Sequence, residues 1–314
     1  MAVMRKIVIA GARANATNRA LRAAFRSAGV TALTLTGRQL QAAHLLGRLE
    51  DAVLLGRTDV SRRLDGVGET FWELRRLEQA GLPVLNGSRT LLRCHDKLQT
   101  ARLLRRAGLP HPRTVLLRSP DSEPPFAGPY VVKPRFGSWG RDVQRCEDGL
   151  ELRSCLRRAA GRRWFRAHGA LVQEYVPNDR VDLRIIVAAG QVVGAIERIA
   201  ADGEWRTNVS LGGARSPVDP PTTATVLARS AAAAFEADLV GVDLLPNHDG
   251  SYTVVELNGA VDFTDLYGEH VFDRVVALLV PQLAPMSLER QRRLPLPAAA
   301  TGLETATSGG TALV

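Results

Sequence analysis

Short apolar runs alternate with amphipathic stretches from the start of the chain. Lys6–Ala10 is an apolar run ending at Gly11, and a helical stretch follows near Asn18–Ala28. Thr31–Leu35, Ala52–Leu55 and Pro83–Leu85 are further runs of strand length, separated by helical segments with turn signals. Strands that alternate with helices predict a small open parallel sheet over residues 1 to about 90.

The rhythm then changes. Asp96–Ala107 predicts a helix, with Asp96 near its start and Gly108 just past its end. Arg113–Leu117 predicts a strand, and Ser119–Pro125 is a Pro/Ser/Glu-rich loop. Tyr130–Lys133 predicts a strand, Arg135–Arg141 a glycine-containing loop, Val143–Arg145 its return strand and Leu150–Ala160 a helix. Strands follow at Ala170–Val176, Val181–Ala189 and Gln191–Ile199, with Ala189-Gly190 suited to a hairpin. Thr222–Ala237 predicts an alanine-rich helix. Leu239–Pro246 and Ser251–Leu257 predict strands around the turn Asn247-His248-Asp249-Gly250. A helix from Asp265 to about Leu283 is expected to close the fold. From Met286 the chain is polar, rich in Pro, Ala, Gly and Thr and without period, which reads as a disordered tail. The expected units are 1–92, 93–170, 171–285 and the tail 286–314.

Composition narrows the function. No run approaches the roughly 18 uncharged apolar residues of a membrane span, and the start MAVMRKIVIAGAR reads as a first strand rather than a secretory signal. The expected compartment is the cytoplasm, with no membrane partner. Cys94, Cys146 and Cys155 fit neither a zinc site nor a CxxC pair and read as reduced thiols. The net charge is +9, but the excess is scattered arginine without interleaved aromatics, so no nucleic-acid partner is expected. Of 41 basic residues only Lys6, Lys97 and Lys133 are lysines. Where arginine serves nearly everywhere, a retained lysine suggests a place where a compact charge must reach a phosphate. Lys97 and Lys133 are therefore candidates, whereas Lys6 reads as a solvated charge.

Four constellations carry chemistry. In the first, a strand delivers Lys133 into the loop Gly137-Ser138-Trp139-Gly140, where glycines let backbone N–H groups close on phosphate oxygens; a tight hairpin would look the same. In the second, Glu174-Tyr175-Val176 ends a strand that could present backbone groups to an adenine edge. Asp182 could accept from ribose hydroxyls, and Arg184 shares its strand face. The alternative is an edge strand with a surface ion pair. In the third, Arg184, Arg198, Arg206 and Asn208 would converge on an anion, or else be solvated charge on a sheet face. In the fourth, Glu256 and Asn258 share one strand face, and a neighbouring antiparallel strand would bring Asp243 beside them. Two carboxylates and an amide suit Mg²⁺ bridging phosphates. Arginine-paired carboxylates are the alternative.

In this order the pieces resemble the ATP-grasp superfamily, and within it the group of the glutamate ligase RimK and the lysine-biosynthesis ligase LysX. The similarity runs from about Pro83 to Tyr267. It rests on Asn86-Gly87-Ser88, Asp96-Lys97-Leu98, Gly108-Leu109-Pro110-His111-Pro112-Arg113-Thr114, Lys133-Pro134, Gly137-Ser138-Trp139-Gly140-Arg141, Gln173-Glu174-Tyr175, Asp182-Leu183-Arg184, Trp205-Arg206-Thr207-Asn208, Gly212-Gly213, Gly241-Val242-Asp243 and Glu256-Leu257-Asn258. The resemblance implies an α/β N-terminal domain plus an α+β ATP-grasp fold, in which a central lid subdomain and a C-terminal subdomain clamp ATP. It implies that Lys97 and Lys133 touch ATP phosphates, that Glu174–Val176 forms the adenine hinge and that Asp182 meets the ribose. It also implies that Arg206 and Asn208 approach the phosphates or the reacting centre. Asp243, Glu256 and Asn258 would hold two Mg²⁺ ions, with Mn²⁺ as a substitute, and Arg184 and Arg198 would stabilise the phosphorylated intermediate.

The implied reaction is ATP-dependent carboxylate–amine ligation through an acyl phosphate. An amino acid would be joined to a glutamate carboxylate of a small acidic carrier protein or peptide, by an enzyme that is a homo-oligomer. A cofactor tail, a ribosomal protein or a peptide natural product are alternative acceptors, and a non-catalytic ATP-binding module is the alternative to an enzyme. The chain departs from the family pattern at Gly259-Ala260-Val261-Asp262-Phe263, the region that meets the amino substrate, and at Asp142. Arg57, in Gly56-Arg57-Thr58-Asp59-Val60-Ser61, resembles part of a substrate-facing loop.

Overall fold

The computed structural model of the chain describes residues 6–283, so the tail expected from Met286 lies outside the described residues. The first unit holds strands β1 (Lys6–Gly11), β2 (Thr31–Leu35), β3 (Ala52–Arg57) and β4 (Val84–Leu85). They pair in parallel in the order β2-β1-β3-β4. β3 is buried along its whole length, as a parallel strand covered on both faces must be. Helices α1 (Ala16–Ser27), α2 (Gly37–Leu45), α3 (Glu69–Gln79) and α4 (Ser88–His95) connect and flank the strands.

Helix α5 (Lys97–Arg106) leads out of this unit. The Asp96 carboxylate caps it, accepting from the Leu98 and Gln99 N–H groups, and also takes a two-pronged contact from Arg135 at 2.7 and 2.6 Å. Capping thereby fixes the helix start against the lysine-bearing strand. The second sheet consists of β5 (Thr114–Leu117), β6 (Tyr130–Pro134), β7 (Gln144–Cys146) and β8 (Ala170–Glu174) in the order β5-β8-β6-β7, all antiparallel. Helices α6 (Gly149–Ala160) and α7 (Arg163–His168) cover it, burying Leu152, Leu156, Trp164 and Phe165. Leu64, from the loop after β3, is buried in the same core.

The third sheet contains β9 (Val181–Ala188), β10 (Gln191–Ile199), β11 (Ala214–Pro217), β12 (Leu239–Pro246) and β13 (Tyr252–Asn258), ordered β11-β10-β9-β12-β13 and antiparallel throughout. Helix α8 (Thr222–Ala234) covers one face. Helix α9 (Val271–Leu279), α1 and the first sheet cover the other. Asn86 joins the first and third sheets. It is fully buried, donates to the Leu239 and Gly259 carbonyls and accepts from the Asp238 and Leu239 N–H groups.

Three expectations change. The closing helix is not continuous from Asp265. A 3₁₀ turn spans Asp265–Tyr267, the left-handed backbone of His270 (φ +56°) separates it from α9, and a second 3₁₀ turn follows at Val280–Leu283. β9, which carries Asp182 and Arg184, lies in the middle of its sheet rather than at an edge. α7 went unseen in the sequence, because six residues between two glycines offer no helical period. The three cysteines are free and buried. Among the described residues no helix is long and apolar enough to cross a membrane.

Candidate active site

The second and third sheets face each other across a cleft. Lys97 begins α5 at its edge, and Lys133 and Glu174 come from β6 and β8. Asp182, Arg198, Asp243 and Glu256 come from β9, β10, β12 and β13. Gly137, Ser138, Trp139 and Gly140 line it, as do Tyr175, Val176, Arg206 and Asn208. Arg184 and Asn258 line instead an adjoining cavity, which shares Lys97, Gly137, Ser138, Trp139, Arg198, Asn208 and Glu256 with the first. Every residue expected to bind nucleotide, metal or the reacting groups therefore lines one of two cavities with a common wall, with Arg57 the exception among the candidates.

Strand register assembles the charges. Asp243 stands opposite Glu256 across β12–β13 and opposite Arg184 across β12–β9, and Arg198 stands opposite Asp182 across β10–β9. Arg184 donates to Asp243 at 2.7 and 2.6 Å. Arg198 donates to Asp182 twice at 2.6 Å and to Asp243 at 2.9 Å, and the Thr207 hydroxyl also donates to Asp182. The two arginines thus converge on the protein's own carboxylates. Burial pushes the Asp243 pKa up, but Arg184 and Arg198 outweigh it and hold the group at about 2.

Lys133 is buried and Lys97 half-buried, each against a polar partner. Lys97 donates to Glu256 at 2.7 Å. Burial raises the Glu256 pKa, but Lys97 reverses this and leaves it below its usual value. Lys133 donates to the Gln173 side chain at 2.7 Å, and burial, with Lys97 nearby, lowers its pKa to about 8. Gln173 is held in turn by Thr114 at 2.9 Å and by His111 at 3.2 Å. His111 Nδ1 lies 2.8 Å from the Val254 carbonyl, so that nitrogen carries the proton. Burial keeps this imidazole neutral, with a pKa of about 4.

The metal candidates can be tested on their own surroundings. Among the described residues no cluster of three or more His, Cys, Asp or Glu could hold a metal. Asp243 and Glu256 make only two carboxylates, so any cation here needs further oxygens. Asn258 supplies a hint of one, since its buried amide nitrogen has no hydrogen-bond partner. The two ends of an amide are interchangeable in assignment, so the orphan end serves equally as an oxygen facing a cation. The donor set fits a hard cation completed by phosphate oxygens.

Backbone conformation shapes the glycine loop. Trp139 and Gly140 both have positive φ, and a Cβ at Gly140 would lie 2.7 Å from the Asn208 amide oxygen. Arg206 donates to the Gly140 and Val143 carbonyls at 3.1 and 3.2 Å, which ties the Trp205–Asn208 loop to the glycine loop. Asp142, also left-handed, accepts from the Trp164 indole at 2.8 Å. The Glu174 carboxylate pairs with exposed Arg113 at 2.8 Å. Arg145 lies 4.0 Å over the Tyr175 ring.

Arg57 does not face the substrate cavity as its loop suggested. Its guanidinium is buried and donates to Asn18 at 2.6 Å and to the Val261 carbonyl at 2.7 Å. Asp59, from the same loop, lines the second cavity instead. Ala260, Val261 and Asp262, from the segment expected to meet the amino substrate, line it too, whereas sequence reasoning missed His95, Arg215 and Tyr267. Arg215 had one usable signal, its place just after Gly212-Gly213; Tyr267 had none.

Residues 94–273 match the family model of the RimK-like ATP-grasp domain. The glutamate–LysW ligase ArgX of Sulfolobus acidocaldarius is 31% identical over 218 residues, 67% of this chain and 76% of that one. The tetrahydromethanopterin:α-L-glutamate ligase of Methanosarcina acetivorans is 33% identical over 192 residues, 58% of this chain and 59% of that one. The crystal structure of D-cycloserine synthetase DcsG shares the fold, with a TM-score of 0.68 at 20% identity, covering 88% of this chain and 99% of that one. The chain belongs to the RimK-like ATP-grasp family and is an ATP- and divalent-metal-using ligase that forms carbon–nitrogen bonds between carboxylates and amines.

Proposed function

We propose that the first cleft holds ATP and that the second cavity holds the carboxylate and the amine to be joined. The observation that carries this is that Lys97 and Glu256 line both cavities, with Lys133 and Asp243 in the first and Asn258 in the second. Lys97, Lys133 and the Gly137–Gly140 loop bind the phosphates. Glu174, Tyr175 and Val176 seat the adenine, with Asp182 on the ribose side. Arg206 and Asn208 hold the glycine loop near the transferring phosphoryl group. Asp243, Glu256 and Asn258 would hold two Mg²⁺ ions, for which Mn²⁺ could stand in. Bound Mg²⁺ supplies charge neutralisation on the phosphate oxygens.

The γ-phosphoryl group passes to a carboxylate oxygen, ADP leaves and an acyl phosphate forms. The amine then attacks the acyl carbon, gives up its proton and expels phosphate. Arg184 and Arg198 stand beside Asp243, where negative charge builds up on the reacting oxygens. The acceptor is the C-terminal glutamate of a small acidic carrier protein or peptide. Two features support that choice: the net charge of +9 favours encounter with an acidic protein, and one relative is named for a LysW ligation.

Phosphate release from MgATP, measured with each standard amino acid as amine and with acidic peptides ending in glutamate, tests the proposal. Release should depend on both substrates and vanish in Glu256→Ala. Equal release by Glu256→Ala, or release indifferent to the amine, would contradict it.

A further inference from the structure

Three guanidiniums line the second cavity, those of Arg184, Arg198 and Arg215. The first two are neutralised by Asp182 and Asp243. The Arg215 side chain is exposed on β11 and makes no hydrogen bond or ion pair among the described residues, although Asp59 and Asp262 line the same cavity. Asp262 is engaged elsewhere, accepting from Asn15 at 2.7 Å with Arg57 3.6 Å away. Register makes the unpaired charge more telling. Arg215 on β11 stands directly opposite Arg198 on β10. Like charges directly opposite on an antiparallel pair repel, and the acids that relieve Arg198 sit on its far side, on β9 and β12.

Tyr267 is the neighbouring donor. It is 5% exposed and lines the same cavity, and its 3₁₀ turn lies against β10, the strand that pairs with β11. Its turn sits hard against β10, because a Cβ at Gly194 would fall 2.0 Å from the Tyr267 carbonyl oxygen. Packing against β10 therefore holds the backbone of this turn in place. A phenol and an unpaired guanidinium on the wall of one cavity can both donate to one planar anion.

We propose that Arg215, with the Tyr267 hydroxyl, binds a spectator carboxylate, one that a substrate carries but that is not phosphorylated. β11 lies one strand beyond Arg198, on the side away from Asp243 and Glu256, so a carboxylate held there is off the line of phosphoryl transfer. Arg215 is thereby a specificity-determining residue: it selects a substrate with a second acidic group. The inference rests on the ligase reading of the first cleft. The spectator carboxylate belongs either to the amine substrate or to the substrate whose other carboxyl is activated.

Calorimetric titration tests this without turnover. The protein, saturated with Mg²⁺ and a non-hydrolysable ATP analogue, is titrated with L-glutamate and with its diamide. The unaltered protein should prefer the acid, and Arg215→Met should weaken acid binding by about tenfold or more, the range of a charge-assisted hydrogen bond. Arg215→Lys should recover part of the loss, and Tyr267→Phe should show a smaller one, which guards against a misfolded Met variant. Equal binding of acid and diamide by the unaltered protein, or unchanged binding in both Arg215→Met and Tyr267→Phe, would overturn the proposal. Hydroxylamine as the amine then distinguishes the sources. Turnover that Arg215→Met leaves unchanged with hydroxylamine, but slows through KM with an amino acid, assigns the carboxylate to the amine substrate; equal impairment assigns it to the activated one. Loss of the ligase reading would show separately, as absent turnover in the unaltered protein despite bound nucleotide.

Discussion

Lys133 is 6% exposed, and its ammonium rests on a neutral amide rather than a carboxylate. A charge in that setting lacks an anion, and its pKa of about 8 expresses the lack. The unfolded chain holds the same proton up to the ordinary lysine value. Between about 8 and that value the unfolded state binds more protons, so the stability of the ligand-free protein rises with pH across this window. Phosphate oxygens beside the ammonium would restore its affinity for the proton. Binding of an ATP analogue with Mg²⁺ at about pH 8.5 should therefore take up protons from solution. Calorimetry in buffers of differing ionisation enthalpy measures this, and Lys133→Met should abolish the uptake. Proton release, or equal uptake by the variant, would contradict a phosphate role for Lys133.

Among the elements, β10 shows how a bulge and a glycine place a substrate wall. The pairing of β10 with β9 shifts register between Val192 and Gly194, and Gly194 lets the 3₁₀ turn at Asp265–Tyr267 lie directly on the strand. Backbone opposes any side chain there, so relief requires moving the turn. Gly194→Ala should cost about 1–3 kcal/mol, the usual range for overpacking, and displace Tyr267 from the second cavity. Urea unfolding measures the first effect, and unchanged stability would mean that the turn yields freely.

Much of this level was legible in the sequence. The β9–β10 hairpin followed from Ala189-Gly190, and both residues have positive φ. The Asp243–Glu256 pairing followed from strand alternation and one antiparallel neighbour. The closing helix was misjudged because the apolar period of Val271–Leu279 continues back to Leu266 and Tyr267, while the break rests on the backbone of Gly268 and His270. The direction of Arg57 was not legible at all. Whether a guanidinium at a strand end points out or in depends on Asn18 and Val261, which lie 39 and 204 residues away.

In the whole molecule, the three sheets are joined by a few polar staples and one borrowed side chain. Asn86 fastens the first sheet to the third, Arg57 fastens β3 to the segment after β13, and Leu64 reaches from the first unit into the core of the second. Asp65 follows it there and pairs with Arg163 at 2.6 Å. These ties hold the two cavities on one frame, so that in the proposed reading a phosphate in one would meet a carboxylate in the other at the wall of Lys97, Arg198, Asn208 and Glu256. The central claim is that this wall is where a phosphoryl group passes to a carboxylate. A carboxylate labelled with heavy oxygen, supplied with MgATP and an amine, tests it by phosphorus NMR of the products. The account predicts ADP and a phosphate carrying one labelled oxygen taken from the carboxylate. Unlabelled phosphate, or AMP with pyrophosphate, would contradict it.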